Sequence, residues 1–209
     1  MNDETRTHAY ALLTNSANTA DTDPSTAFTR TMSTLTQTTL REARLTGDPG
    51  TDESQILACA VILDELAARI TSETTRTGPS LTPRSGEDGE PAADTARDAV
   101  LDELRTRVPR DGTAQADLAT ALIDFTIHRR DADREDDAEY RSVVARLYRI
   151  HERVHTGTAA ECYVTLLAAS ATVINDLITQ LVTLTDTPAA EIRHSMREFI
   201  RSQPSPTRV

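Results

Sequence analysis

The stretch ECYVTLLAASATVINDLITQLVTLT, residues 161–185, decides the fold. From Cys162 to Leu184 it is apolar nearly all round, and Asp176 is its only charge. Just ahead of it, Thr158 and Glu161 stand three residues apart, the spacing of a capping box in which each side chain satisfies the other's free backbone N–H. A run of this length raises the membrane question, because a spanning helix takes about 20 apolar residues. Asn175, Asp176, Gln180 and several threonines argue against a lipid environment. The reading is therefore the central, most buried helix of a bundle, over residues 158–185.

Helix signals dominate on either side of it. Asp23 is a cap with Pro24 in the first turn, opening a helix to about Leu45. GTDESQILACAVILDELAARI follows, with Ile56, Cys59, Leu63, Leu66 and Ile70 on one helical stripe. Residues 77–92, TGPSLTPRSGEDGEPA, have the composition of a flexible linker. ARDAVLDELRTRV then forms a helix that stops before Pro109, and ADLATALIDFTIHRR forms another short one. A longer helix runs from about Arg134 to His155, with Tyr140, Val143, Val144, Leu147, Ile150 and Val154 on one face. A last helix begins at TPAAE, with Pro188 in its first turn, and ends near Arg201.

No stretch reads as a strand. The expected fold class is all-α, a bundle of about seven or eight helices. Residues 1–76 form an N-terminal helical unit and 93–209 a C-terminal one, joined by the acidic linker and sharing one core. The helices near 4–20, 24–46 and 51–75 match those near 112–130, 134–156 and 158–185 in length and order. That correspondence suggests two pseudo-repeated three-helix units facing each other about a twofold axis.

Composition narrows the function. The 209 residues suffice for one sizeable domain, and with aromatics at 3% and no Trp the core must be built from Ala, Leu, Ile and Val. Every one of the 22 basic residues is Arg, and Thr makes up about a sixth of the chain. Such usage points to a GC-rich genome, actinobacterial on the simplest reading. A net charge of −11 repels phosphate and excludes non-specific nucleic-acid binding unless one face is locally basic. HRRDADRE, the densest Arg cluster, cancels itself within a few residues. Cys59 and Cys162 each sit in an apolar helical run, as reduced thiols of a cytosolic core do. MNDETRTHAYALL lacks the basic-then-apolar pattern of a secretory signal.

Chemistry is advertised at one place, RIHERVHTG, where His151-Glu152-Arg153-Val154-His155 spells H-E-x-x-H. Residues four apart share a helix face, so His151 and His155 can hold one zinc ion while Glu152 polarises its bound water. Glu161 and Cys162, at the start of the next helix, are the nearest candidates for a further metal ligand. These five residues resemble the metal-binding helix of zincin metallopeptidases, and the resemblance implies a zinc-dependent hydrolase with Glu152 as catalytic base. It extends no further. Arg149 and Arg153 flank a motif that zincins keep among uncharged residues, and Thr158 and Glu161 stand where a metzincin has Gly and a ligand His.

Two other patterns lead nowhere. Glu152-x-x-His155 and Glu191-x-x-His194 are paired E-x-x-H motifs, as in ferritin-like di-iron bundles. About 25 residues of central helix, roughly 37 Å at 1.5 Å per residue, would put them at opposite ends of the bundle. The acidic run DADREDDAEY with Asn175-Asp176 loosely resembles the magnesium motifs of class I terpene synthases, in a chain too short and too poor in aromatics for that chemistry. Asp176, an acid in an apolar helix, must find a partner or stay protonated, and an internal Arg or Thr partner is the expectation. The favoured expectation is a non-enzymatic cytosolic protein without cofactor, acting through association as a homo-oligomer or with a protein partner, away from nucleic acid and membrane. The alternative is the zinc-dependent hydrolase.

Overall fold

The computed structural model describes residues 1–20, 52–77, 89–129 and 159–204. Six α-helices and no strand occupy them: α1 Asp3–Ala20, α2 Asp52–Thr77, α3 Gly89–Arg107, α4 Ala114–Arg129, α5 Ala159–Thr185 and α6 Ala189–Ser202. The all-α expectation holds. The helices expected near 24–46 and 134–156 lie outside the described residues, and so does the pseudo-repeat that depends on them.

α5 packs against all five other described helices. Leu166, Leu167, Ala169, Val173, Ile174, Leu177, Ile178 and Leu181 are buried along it. Their spacing of three and four residues places them on one side of a 3.6-residue helix. Against them lie Leu12 and Leu13 of α1, Ile62, Leu63 and Leu66 of α2, Leu122 and Ile123 of α4, and Met196 and Ile200 of α6, in one apolar cluster that also takes in Leu101 and Leu104 of α3. Each such side chain contributes about 1.5–3 kcal/mol by leaving water. The α2 stripe is as expected: Ile56, Cys59, Leu63, Leu66 and Ile70 are all buried. Cys59 is a free thiol, and its burial raises its pKa to about 12, so it stays protonated in the core.

α5 departs from its sequence reading in one respect. It is apolar nearly all round, yet it is not buried all round. Thr172, Thr179 and Thr183 are exposed, with Ala168, Asn175, Asp176 and Gln180 half-buried beside them. Threonine explains the difference. The hydroxyls of Thr172, Thr179 and Thr183 each donate to the carbonyl four residues back, at 2.8–2.9 Å. The same bond recurs at Thr74 in α2 and at Thr120 and Thr126 in α4. A Thr held this way satisfies its own donor, so a β-branched residue sits in a helix without needing a tertiary acceptor. By length and apolarity the segment Thr165–Thr185 could cross a membrane, and 56% of its most apolar window is buried inside the bundle.

Arginine forks join the helices. Arg69 of α2 donates to Ser195 Oγ of α6. Arg105 of α3 meets Asp124 of α4 at 3.0 Å, and that carboxylate is buried. The buried Arg193 of α6 donates to Ser16 Oγ and to its carbonyl on α1, at 3.3 and 3.2 Å, and to Asn175 Oδ1 on α5, at 2.9 Å.

The termini follow local rules. α3 opens at Gly89, so the last four residues of the 77–92 segment are helical; Pro91 falls in the first turn, where a missing N–H costs no hydrogen bond. Pro188 is the N-cap of α6, one residue ahead of the first turn where its sequence placed it. Asp186 ends α5 in the left-handed region, at φ +55°, with its N–H on the Val182 carbonyl at 2.9 Å. This is the αL cap, with a proline two residues on and an Asp where glycine is usual. Asp186→Gly is expected to raise the unfolding free energy by about 0.5 kcal/mol, and Asp186→Val to lower it by roughly 1–2 kcal/mol. Urea denaturation of the two variants checks both signs.

Candidate functional site

A groove of about 540 Å³ lies over the outward stripe of α5. Thr172, Val173, Asn175, Asp176 and Thr179 form its α5 side. The opposite walls come from the end of α3 (Leu104, Arg107), the α3–α4 connection (Val108, Pro109, Asp111, Thr113) and the start of α4 (Gln115, Ala116, Ala119). The groove exists because the α3–α4 connection turns sharply beside α5. Pro109 cannot continue α3, and Gly112 takes φ +71°, a conformation side chains disfavour. Asp111 Oδ1 then accepts from the backbone N–H of Thr113 at 3.0 Å and from its hydroxyl at 2.8 Å. Thr113 Oγ1 in turn accepts from the Ala116 N–H at 3.2 Å, capping α4.

Arg107 is the centre of the polar lining. Its Nε donates to Asp176 Oδ2 at 2.9 Å, Nη1 to Glu103 Oε1 at 2.8 Å and Nη2 to Gln180 Oε1 at 3.2 Å. Asp176 therefore has an arginine partner, one of the two kinds expected for it. The pair is not internal, however: the side chains are 35% and 41% exposed. Across the groove, Gln115 Nε2 donates to Thr172 Oγ1 at 3.2 Å, tying α4 to α5. Beneath them Asn175 is oriented by its bond to Arg193.

The zinc-motif residues His151, Glu152 and His155 lie outside the described residues, as do the acidic run at 131–139 and Thr158. Glu161 and Cys162 fall on the first turns of α5, where the backbone alone is described. Among the described residues, no three His, Cys, Asp or Glu side chains are grouped so as to hold a metal ion. Glu191 lines a smaller cavity of about 340 Å³ with Arg69, Glu73 and Ser195.

Arg107, Asp111, Gln115 and Thr172 carried no signal of their own in the sequence. The lone charge at Asp176 was the pointer, and nothing in the sequence singles out Arg107, at the end of α3, as its partner. Asp124 was a second such pointer, an acid within TALIDFTI, and it leads to Arg105.

The two hydrogen bonds from Thr113 hold the Asp111 carboxyl below its ordinary pKa of 3.8. A carboxyl lowered on folding adds stability at neutral pH and loses it as pH falls through the lowered value. A ¹³C titration of native protein is expected to place the Asp111 midpoint below 3.8 and to move it upward in Thr113→Val. An Asp111 midpoint at or above the ordinary value would show that the turn is not formed as described.

No protein-family model, curated protein or solved structure matches this chain.

Proposed function

We propose that the chain is a non-enzymatic cytosolic helical protein that works by association, as a homodimer, adaptor or regulator, and that the α5 groove receives the partner. One observation carries this reading. The groove combines an apolar floor with polar groups already tied to one another, from Glu103 and Gln180 through Arg107 to Asp176, and from Gln115 to Thr172. A lining braced by its own bonds is pre-organised, so a partner meets it without first ordering flexible side chains. Val108 and Pro109 present apolar area beside those polar fixtures, over the buried Leu104, Ala119 and Val173, the mixture typical of a protein interface.

The competing reading is a metal-dependent hydrolase built on His151, Glu152 and His155 with Glu161 or Cys162, and it rests on the sequence motif alone. Two measurements separate them. A photo-crosslinking residue at Thr172 is expected to give a discrete protein adduct, to a second copy or to another chain, that the same residue at Arg201 does not give. Light scattering of the purified protein then tells self-association from association with another chain. Elemental analysis after dialysis is expected to find well under one equivalent of zinc. Near-stoichiometric zinc lost in His155→Ala, with no adduct at Thr172, would replace association by the hydrolase.

A further inference from the structure

Resting on the association reading, we propose that the α5 groove recognises a basic protein segment, whose Lys or Arg side chains lie along the apolar floor and reach Asp111 and Asp176 with their heads. Long basic side chains bury their methylene stems on apolar surface while the charge seeks a carboxylate or water. The groove offers both halves of that match. Val108 and Pro109 are the accessible apolar half, and Asp111 and Asp176 line the same cavity.

The polar atoms have a definite sense. The Arg107 fork is engaged on three sides, by Asp176, Glu103 and Gln180, and so has little left to attract an anion. Each carboxylate, by contrast, keeps one oxygen, Asp176 Oδ1 and Asp111 Oδ2, without a hydrogen bond among the described residues. Asn175 gives its Oδ1 to Arg193, which leaves Nδ2 to donate to a carbonyl of the segment. The charged side chains lining the groove are Asp111 and Asp176 against Arg107, and Glu103 engages that arginine from its own helix. An acidic or neutral segment would strip water from those carboxylates and return nothing. The chain's charge of −11 adds long-range attraction for a basic partner and repulsion between its own copies. Association with a different, basic chain therefore fits this groove better than self-association.

The test is an NMR titration of the full ¹⁵N-labelled chain with a leucine–lysine amphipathic helical peptide, its Lys→Glu and Lys→Gln counterparts, and spermidine. The lysine peptide is expected to shift the amides of Gln115, Thr172, Asn175 and Thr179, and the Glu and Gln peptides to leave them unmoved. Asp111→Asn combined with Asp176→Asn is expected to weaken the lysine peptide by about tenfold or more, as loss of paired charges does. Thr172→Trp, which occupies the groove and keeps both carboxylates, is expected to abolish the same shifts. Equal binding of the Gln or Glu peptide in the groove would overturn the basic recognition and leave the association reading standing. Lysine-peptide shifts confined to another face, or unchanged in both variants, would overturn the groove assignment. Spermidine binding as tightly as the peptide would make this a small-amine site, and both readings of the groove would fall.

Discussion

The burial of one side of α5 is the constraint on which everything else in this structure depends. Aromatic residues are scarce and Trp is absent, and among the described residues Phe125 is the one aromatic buried in the core. Leu166, Val173, Ile174, Leu177, Ile178 and Leu181 anchor that core by meeting five other helices at once. Small residues between them, Ala169, Ser170 and Ala171, are buried as well and let neighbouring backbones come close. A helix so used must keep its remaining side soluble without charges that would disturb the packing. Threonine achieves this by closing its hydroxyl onto its own backbone.

With no lysine in the chain, all fixed positive charge is guanidinium, and the structure uses the fork rather than the charge alone. Arg107 spreads over three acceptors on two helices, and Arg193 reaches α1 and α5 from α6. A planar group with five donors in a fixed fork suits such bridges better than a compact ammonium with three. Most of the ion pairs along single helices, such as Arg76 with Glu73 and Arg201 with Glu198, are exposed and contribute little. Arg105–Asp124 is different, because its carboxylate is buried between α3 and α4 and would be costly to leave unpaired.

The fold class was legible because helical periodicity is local. The stripe from Ile56 to Ile70 and the apolar run after Cys162 declare their helices without reference to the rest of the chain. The groove was not legible, because it is made of residues remote in sequence: Arg107 and Asp176 are 69 positions apart, and Gln115 and Thr172 are 57. No local pattern specifies that the Pro109–Gly112 turn passes beside α5. The half-buried character of α5 was hidden for a related reason. Threonine is neutral to a hydropathy reading, and whether its methyl or its hydroxyl governs depends on a bond seen only in three dimensions. The HERVH motif was the loudest signal in the sequence, and it falls outside the described residues, whereas the lone Asp176 marked one wall of the groove without indicating its partner.

The groove and the core are two sides of one helix, and the division between them underlies both the fold and the functional proposal. Denaturant unfolding of Leu177→Ala and Thr179→Ala, one residue from each side, tests that division most directly. The inward Leu177→Ala is expected to cost about 2–5 kcal/mol, and the outward Thr179→Ala less than about 0.5 kcal/mol. A comparable loss in both would mean that the outer stripe is itself packed, leaving no open groove for a partner to enter.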